Sequence, residues 1–412
     1  MSAPPAGRGL TLRVLLPFAA GYYLSYVYRT VNAVIAPELG AELGLDAAVL
    51  GLLTSVYFLA FALFQLPLGL LLDRYGPRRV EAALLLVAAL GALLFARAGG
   101  ATELILGRAL IGLGVSACLM AAFKATITWF PAHRIPALNG RIMAAGGLGA
   151  LTATRPVESA LALTDWRGVI LLLAALTLGV AVLIWRVSPE PPRSTRPRLR
   201  ELLRGIGQIY RSALFWRVVP VVMLTQAGFM AIQGLWAGPW LRDVAGLERP
   251  AMATGLLYIA LAMVAGFLLL GQCASWLNRR GVSLAAIMIT GLGLFLLAQA
   301  GLILAPAVPA LPSWLLFGFF GSSGILSYPL LAQYFPPELA GRVNTCVNLL
   351  VFLGAFAIQW SIGALINLWP ATPAGGYPTA AYRVAFGVML GLQLLALARF
   401  LSGWRDLARK PA

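Results

Sequence analysis

Long runs of apolar residues alternate with short polar segments along nearly the whole chain. The runs are about 20 residues long, the length an α-helix needs to cross a hydrocarbon core of about 30 Å. They lack the strict apolar–polar alternation of membrane β-strands. We therefore predict an all-α membrane protein with twelve transmembrane helices, near residues 14–37, 48–72, 79–98, 103–130, 142–163, 168–187, 215–238, 251–275, 282–304, 313–334, 344–368 and 384–403.

Composition supports the same class. Hydrophobic residues make up 60% of the 412 residues and charged residues 11%, whereas a soluble domain carries about 25% charged residues. The net charge of +17 raises the question of nucleic acid. Most Lys and Arg, however, stand in short segments between apolar runs, the pattern that orients a membrane protein. We therefore expect the protein to lie in the lipid bilayer and to bind no nucleic acid.

Residue types that bind metals or act in catalysis are scattered. Cys118, Cys273 and Cys346 lie inside apolar runs, and their spacing fits neither a disulfide framework nor a metal site. The single histidine, His133, falls in an interhelical segment. No nucleophile–base arrangement is evident. We therefore expect no enzyme activity, no metal and no cofactor.

The basic residues predict the orientation of the chain. They concentrate on one side of the predicted membrane, as at Arg78, Arg79, Arg279 and Arg280, whereas the connector around Glu42 has none. By the positive-inside rule, both termini lie in the cytoplasm. We expect a multi-pass protein of the plasma (inner) membrane.

The chain divides into two similar halves. We predict a six-helix bundle at 1–190, a basic cytoplasmic linker at 191–212 and a second six-helix bundle at 213–412. Trp129-Phe130-Pro131 after the fourth span matches Tyr334-Phe335-Pro336 after the tenth, roughly 200 residues later, as expected for a duplicated unit. Such halves rock about a site at the membrane midplane.

Two motifs resemble those of the major facilitator superfamily. The first stands between the second and third spans, and the second is an Arg followed by spaced glycines in the fourth span. The resemblance covers the whole chain and implies the twelve-helix fold of that superfamily. The residues of the motifs are Gly69, Asp73, Arg74, Gly76, Arg78 and Arg79, and Arg108, Gly112 and Gly114.

The first motif has a physical interpretation as a gate. Gly69 would let two helices approach closely. Asp73 would pair with a basic residue or a helix N-terminus in one conformer. The resemblance favours a gating role over a simple topogenic charge. The fifth span departs from the antiporter pattern, because Arg155-Pro156 stands where that pattern has Gly-Pro.

Ionisable residues inside spans are costly and usually functional. Arg29 is expected roughly 12 Å deep in the first span, near the midplane. Tyr22 and Tyr26 precede it at helical spacing, so the three share a face, and Asn32 continues that face. We predict this face to contact the substrate.

The fourth span carries two further cations. Arg108 and Lys124 are separated by about 160° around the helix, so one of them can face a central cavity. We assign the cavity to Lys124 and helix packing to Arg108; the reverse assignment stays open. In the fifth span Arg155 and Glu158 can pair along the helix. Glu158 is taken as the one carboxylate well inside a span. It is a structural partner of Arg155, a proton carrier, or a switch partner of Arg29 or Arg108.

The second half has no charge at comparable depth. Its candidate contacts are Gln226, Gln233, Ser323 and Tyr328. The excess of buried positive charge in the first half favours an anion, because Arg can hold a carboxylate or phosphate through its planar fork. Tyr26–Pro37 also resembles the first span of the organophosphate and organic-anion branches of the superfamily.

We therefore predict a monomeric secondary transporter that moves a small organic or inorganic anion by alternating access, with a coupling proton left open. Two alternatives remain: a proton-coupled exporter of amphipathic or cationic compounds, and a transporter-like membrane sensor.

Overall fold

The computed structural model describes residues 8–131, 134–189, 199–304, 310–332, 334–336, 339–373 and 375–403, without side chains at 8, 66, 135–137, 199–203, 329, 332, 340 and 341. His133, both termini and linker residues 191–198 lie outside these ranges. Every regular element within them is helical. The predicted all-α class is confirmed.

Ten helical segments are long and apolar enough to cross a membrane, among the residues described. The remaining two predicted spans, the fifth and the tenth, are found as shorter or interrupted helices. The segments of the first half, in chain order, are Arg8–Thr30, Asn32–Leu43, Ala47–Ala96, Ala101–Val115, Cys118–Trp129, Ile135–Thr152, Arg155–Leu161 and Trp166–Val187.

The second half begins with a short helix over part of the predicted linker. Its segments are Leu199–Tyr210, Ala213–Ala231, a π-turn at Ile232–Trp236, Ala237–Asp243, Arg249–Arg279, Leu284–Leu304, Leu311–Gly321, a 3₁₀ turn at Ser322–Leu326, Ser327–Ala332, Ala340–Ile366 and Thr379–Ser402.

Two compact units make up the chain. The described residues of unit 1 fall within 1–45 and 56–199, and those of unit 2 within 46–55 and 200–412. Residues 46–55, the start of the second span, thus pack with the second half: the amide N of Ala47 donates to the Tyr377 hydroxyl at 3.0 Å. The three-part division predicted above, with its separate linker, stays a prediction.

The second and third spans join at a corner of one residue. Helical structure runs from Ala47 to Ala96 with Gly76 alone outside it, at φ 78° and ψ 161°. A positive φ strains any residue with a Cβ, so the corner requires glycine. The loop expected between residues 72 and 79 is therefore absent, and Asp73 and Arg78 lie in helices on either side of the corner.

Helix breaks inside spans have local causes. In the fourth span the Ser116 hydroxyl donates to the Leu113 carbonyl at 2.7 Å, a side-chain bond that competes with helical backbone bonding. The Ser116 carbonyl instead accepts from Gln65 Nε2 at 3.3 Å. In the fifth span Pro156 has no N–H to donate, so a new helix starts at Arg155.

Candidate functional site

Arg29 lies among aromatic rings in the first span. Its guanidinium is 4.6 Å from the centroid of the Tyr26 ring and 5.7 Å from that of Phe61. The Tyr22 and Tyr26 rings pack edge to face at 5.2 Å, and both side chains are buried. Arg29 itself is half-buried, so its charge stays within reach of a ligand while the rings hold its direction.

Asn32, the last residue of the predicted substrate face, is 0% exposed. It follows the break at Val31, where the first span divides into Arg8–Thr30 and Asn32–Leu43. The structure therefore places Asn32 inside unit 1, and Arg29 is the more accessible of the two.

Arg108 is enclosed in the packing of unit 1. It is 1% exposed, its Nη1 donates to the Tyr28 carbonyl at 2.9 Å, and its guanidinium lies 5.2 Å from the Tyr57 ring centroid. Its Nε and Nη2 are buried without a hydrogen-bond partner among the described residues. Tyr57 also lies within hydrogen-bonding reach of Arg29, so one phenol stands beside two guanidinium groups.

Lys124 binds the acidic residue of the first motif. Its Nζ lies 2.6 Å from Asp73 Oδ1, with the two side chains 38% and 32% exposed. The sequence assigned these residues to separate roles, one to the cavity and one to the gate. The structure joins them in one partly solvated ion pair, so Arg29 is left as the accessible cation on the predicted substrate face.

The rest of the first motif surrounds the corner at Gly76. Arg74 and Arg79 are exposed, and the Arg78 guanidinium lies 5.2 Å from the Trp185 ring centroid. Gly69 is exposed, and a Cβ on it would meet no atom within 4 Å. The close helix approach expected at Gly69 is therefore wrong for this structure.

Close approach occurs instead at the glycines of the second motif. A Cβ on Gly112 would overlap the Tyr57 backbone, and one on Gly114 would overlap Ala88. These two glycines bring the fourth span against the second and third, as small residues do in membrane helix pairs.

The carboxylate inside the membrane is not the one expected. Arg155 is exposed and Glu158 half-buried, on a seven-residue helix after the break in the fifth span. Glu81, in the third span, is 0% exposed. The statement that Glu158 is the one carboxylate well inside a span is therefore wrong. Glu81 follows the first motif closely, where the sequence predicts the end of a loop near the membrane surface. The turn is a corner of one residue at Gly76, so Glu81 lies inside the helix bundle.

Unit 2 presents uncharged polar groups. Gln233 Nε2 lies 3.2 Å from Met263 Sδ, and the Tyr328 hydroxyl donates to Asn348 Oδ1 at 2.5 Å. Ser323 is fully buried. Gln226 packs against Gly324, in the 3₁₀ turn that interrupts the tenth span. These interruptions resemble the discontinuous helices that form binding sites in transporters.

A polar cluster that has no counterpart among the predicted site residues lies at one end of unit 1. Glu42 accepts from Trp166 Nε1 at 2.6 Å and from Arg167 Nη1. These hydrogen bonds, that from Trp166 foremost, lower the pKa of the Glu42 carboxyl. The carboxylate form therefore holds the end of the second helical segment to the sixth span.

No group of three or more potential metal-ligating side chains occurs within the part of the chain that the structure describes. Cys118 and Cys346 are buried free thiols and Cys273 is an exposed one. The described site is thus built from charged, amide, hydroxyl and aromatic groups.

Solved structures of transporters share this fold. A bacterial homologue of the human lysosomal transporter Spinster, inward-facing and unoccupied, matches with a TM-score of 0.77 at 17% identity over 98% of this chain and 99% of that one. A D-xylose–proton symporter matches with a TM-score of 0.73 at 16% identity over 95% and 97%. At these identities the likeness establishes the fold alone.

Sequence relatives include several named transporters. A probable sulfoacetate transporter of Cupriavidus necator is 26% identical over 60% of this chain and 60% of its own length. The YybO transporter of Bacillus subtilis is 30% identical over 43% and 41%. These alignments therefore span less than two thirds of those relatives. The hexuronate transporter of Escherichia coli is 23% identical over 98% and 96%.

The family model of the Major Facilitator Superfamily matches residues 18–359. That range runs from the first span into the eleventh and includes both motifs, so the chain belongs to the Major Facilitator Superfamily.

Proposed function

We propose that this protein is a secondary transporter that moves a small anion across the membrane by alternating access, with Arg29 as the principal contact. The observation that carries the proposal is the half-buried guanidinium of Arg29 above Tyr26. A charge inside a span is costly, and an anionic substrate would offset that cost with charge-assisted hydrogen bonds.

The other cations of unit 1 are less suited to this role. Lys124 is bound to Asp73, and Arg108 is enclosed with its Nη1 on a backbone carbonyl. Arg108 can nevertheless act at a distance, because its charge attracts an anion on the far side of the Tyr57 ring. The proposed roles are therefore direct contact for Arg29 and electrostatic support for Arg108.

The names of the relatives support the substrate class. They are called transporters of sulfoacetate, tartrate, hexuronate and nitrate, all of which are negatively charged at neutral pH. A carboxylate or another planar oxyanion matches the fork of a guanidinium. The proposal therefore favours a small oxyanion over the amphipathic or cationic cargo of the exporter alternative.

The decisive experiment is exchange in proteoliposomes. Purified protein is reconstituted with internal sulfoacetate, glucuronate, tartrate or nitrate, and uptake of the same labelled anion is followed. We expect saturable exchange of at least one anion, inhibited by its unlabelled form. Exchange of none, with export of an amphipathic cation in the same vesicles, would reject the anion proposal. Absence of any flux together with a bound ligand would favour the sensor alternative.

We also propose a monomer in the plasma (inner) membrane with both termini cytoplasmic. The support for this orientation is the excess of basic residues in the connectors on that side. Reporter fusions after Ala412 and near Ala374, both outside the described residues, should report opposite sides of the membrane. A periplasmic signal after Ala412 would overturn the orientation.

A further inference from the structure

Glu81 is a buried acid to which the anion contact above assigns no role. Its side chain is 0% exposed. Among the residues that the structure describes, the weakly donating Cys118 thiol lies within hydrogen-bonding reach of the carboxyl, and neither carboxyl oxygen accepts from an N–H or hydroxyl group. An ionised carboxylate in such a place is very costly, whereas its neutral acid form is tolerated. The side chain therefore has a reason to hold a proton.

The surroundings of Glu81 are built from the first and fourth spans. A Cβ on Gly21 would overlap Glu81 Oε1 and would lie 3.8 Å from Cys118 Sγ. The carboxyl thus occupies the space that the missing Gly21 side chain leaves, beside the Cys118 thiol. On its own helix, the Arg78 guanidinium is directed to Trp185.

The other charged and titratable groups near this place belong to the same helices. Arg29 lies within electrostatic reach of the Cys118 thiol, and Tyr22 follows Gly21 directly in the first span. On the fourth span, Lys124 is bound to Asp73. Among the described residues, none of the charged groups is in contact with the Glu81 carboxyl.

The first span connects Glu81 to the proposed anion contact. Gly21 precedes Arg29 by eight residues, so the two positions are about 12 Å apart along the helix axis. At an effective dielectric constant of about 20, unit charges at that distance change a binding equilibrium by about tenfold. An anion bound at Arg29 would therefore favour the protonated form of Glu81.

We propose, on the basis of the anion transport proposed above, that Glu81 carries the coupling proton. In the enclosed state described above, the carboxyl is neutral, and it is ionised in an anion-free state that opens it to water. When the anion binds at Arg29 in that open state, the Glu81 carboxylate takes one proton from water and an O–H bond forms. When the anion leaves, that bond breaks and the proton returns to water. One proton then moves with each anion. By reciprocity, protonation strengthens anion binding by the same factor.

Glu81→Gln tests the proposal, because glutamine imitates the neutral acid and cannot release a proton. Sulfoacetate, glucuronate or tartrate serves as the probe, whichever the wild type exchanges. In proteoliposomes the variant should keep exchange and lose accumulation driven by a pH gradient. In detergent, wild-type affinity should fall about tenfold as the pH rises through the Glu81 titration, whereas the variant should keep the low-pH affinity throughout.

Glu103→Gln is the matched control. Glu103 is an exposed carboxylate in the first turn of the fourth span, bound to the Gly99 amide N, and its neutralisation should leave accumulation unchanged. Glu158→Gln tests the rival acid. Loss of accumulation in Glu158→Gln with normal accumulation in Glu81→Gln would overturn the assignment to Glu81, as would loss of exchange in folded Glu81→Gln.

A direct measurement keeps the test valid if Glu81→Gln does not fold. When the anion is added to wild-type protein in weakly buffered detergent solution, at a pH at which the anion-free Glu81 is ionised, the protein should take up protons. The Glu81→Asp variant should retain this uptake. Anion binding by the wild type without proton uptake would reject the proposal while leaving anion transport intact. Absence of exchange by the wild type would reject anion transport itself, so the two failures are distinguishable.

Discussion

The two units bury different kinds of polar groups. Among the described residues, the fully buried charged side chains are Glu81 and Arg108, both in unit 1. Unit 2 buries amides and hydroxyls, including Gln299, Gln359 and Ser323. Unit 2 also holds a nearly buried carboxylate, Asp243, whose side chain is 5% exposed, but Asp243 is paired with Arg242 and accepts from the Tyr382 hydroxyl at 2.6 Å. A buried charge costs far more than a buried amide unless it is paired in this way. The difference fits the proposals made above, in which unit 1 provides charge recognition and coupling and unit 2 provides neutral contacts.

Among the substitutions that test this comparison, Arg29→Gln should cause the largest loss of anion affinity. Hydrogen bonds to a charged group contribute about 1.5–3 kcal/mol, so we expect anion affinity to fall about 100-fold in binding titrations. Arg29→Lys keeps the charge without the planar fork, so its anion affinity should lie between those of the wild type and Arg29→Gln. Arg97→Gln, at an exposed position, is the control. Unchanged affinity in folded Arg29→Gln would remove unit 1 as the anion-binding half.

Arg108→Met separates function from stability. Replacing a buried ionic group by an apolar one of similar size is often neutral or stabilising, and two nitrogens of Arg108 lack hydrogen-bond partners among the described residues. We expect unchanged or higher thermal stability in detergent, with anion affinity lowered about tenfold by the lost charge. A large loss of stability with normal affinity would make Arg108 structural.

Gln226→Leu tests the neutral contacts of unit 2. The Gln226 Oε1 atom is buried without a hydrogen-bond partner in the described structure, so it is available to a ligand. A neutral hydrogen bond contributes about 1 kcal/mol, so we expect the anion affinity to fall about fivefold. Gln299→Leu is the control. The Gln299 Nε2 donates to the Phe386 carbonyl at 3.3 Å, so this substitution should lower thermal stability and leave the anion affinity unchanged. A loss as large as that of Arg29→Gln would contradict the division of roles.

Asp73→Asn should have the smallest effect. An ion pair this exposed contributes about 1 kcal/mol or less, so transport should slow by about fivefold or less. Lys124→Gln should slow it equally, and the double variant should be no slower than either single one, because both remove the same contact. Additive losses, measured as initial rates of exchange, would show that Lys124 also acts elsewhere.

Much of the architecture could be predicted from sequence because it depends on local chemistry. The helices follow from apolar length, and the motifs at Asp73 and Arg108 from residue identity. The site was predicted less completely. Arg29 and its tyrosines were found through helical periodicity, whereas the contact between Lys124 and Asp73 joins two helices 51 residues apart and leaves no periodic signal.

The sequence by itself determined the class, the helical spans and the excess of positive charge in the first half, because each depends on residues close together along the chain. The tertiary structure decided which charges are paired, enclosed or accessible. It enclosed the Glu81 carboxyl and left Glu158 half-buried, because the depth of a side chain depends on its neighbours. Gly76 turns the chain within one residue, Gly21 leaves room for a carboxyl, and Glu81 fills it.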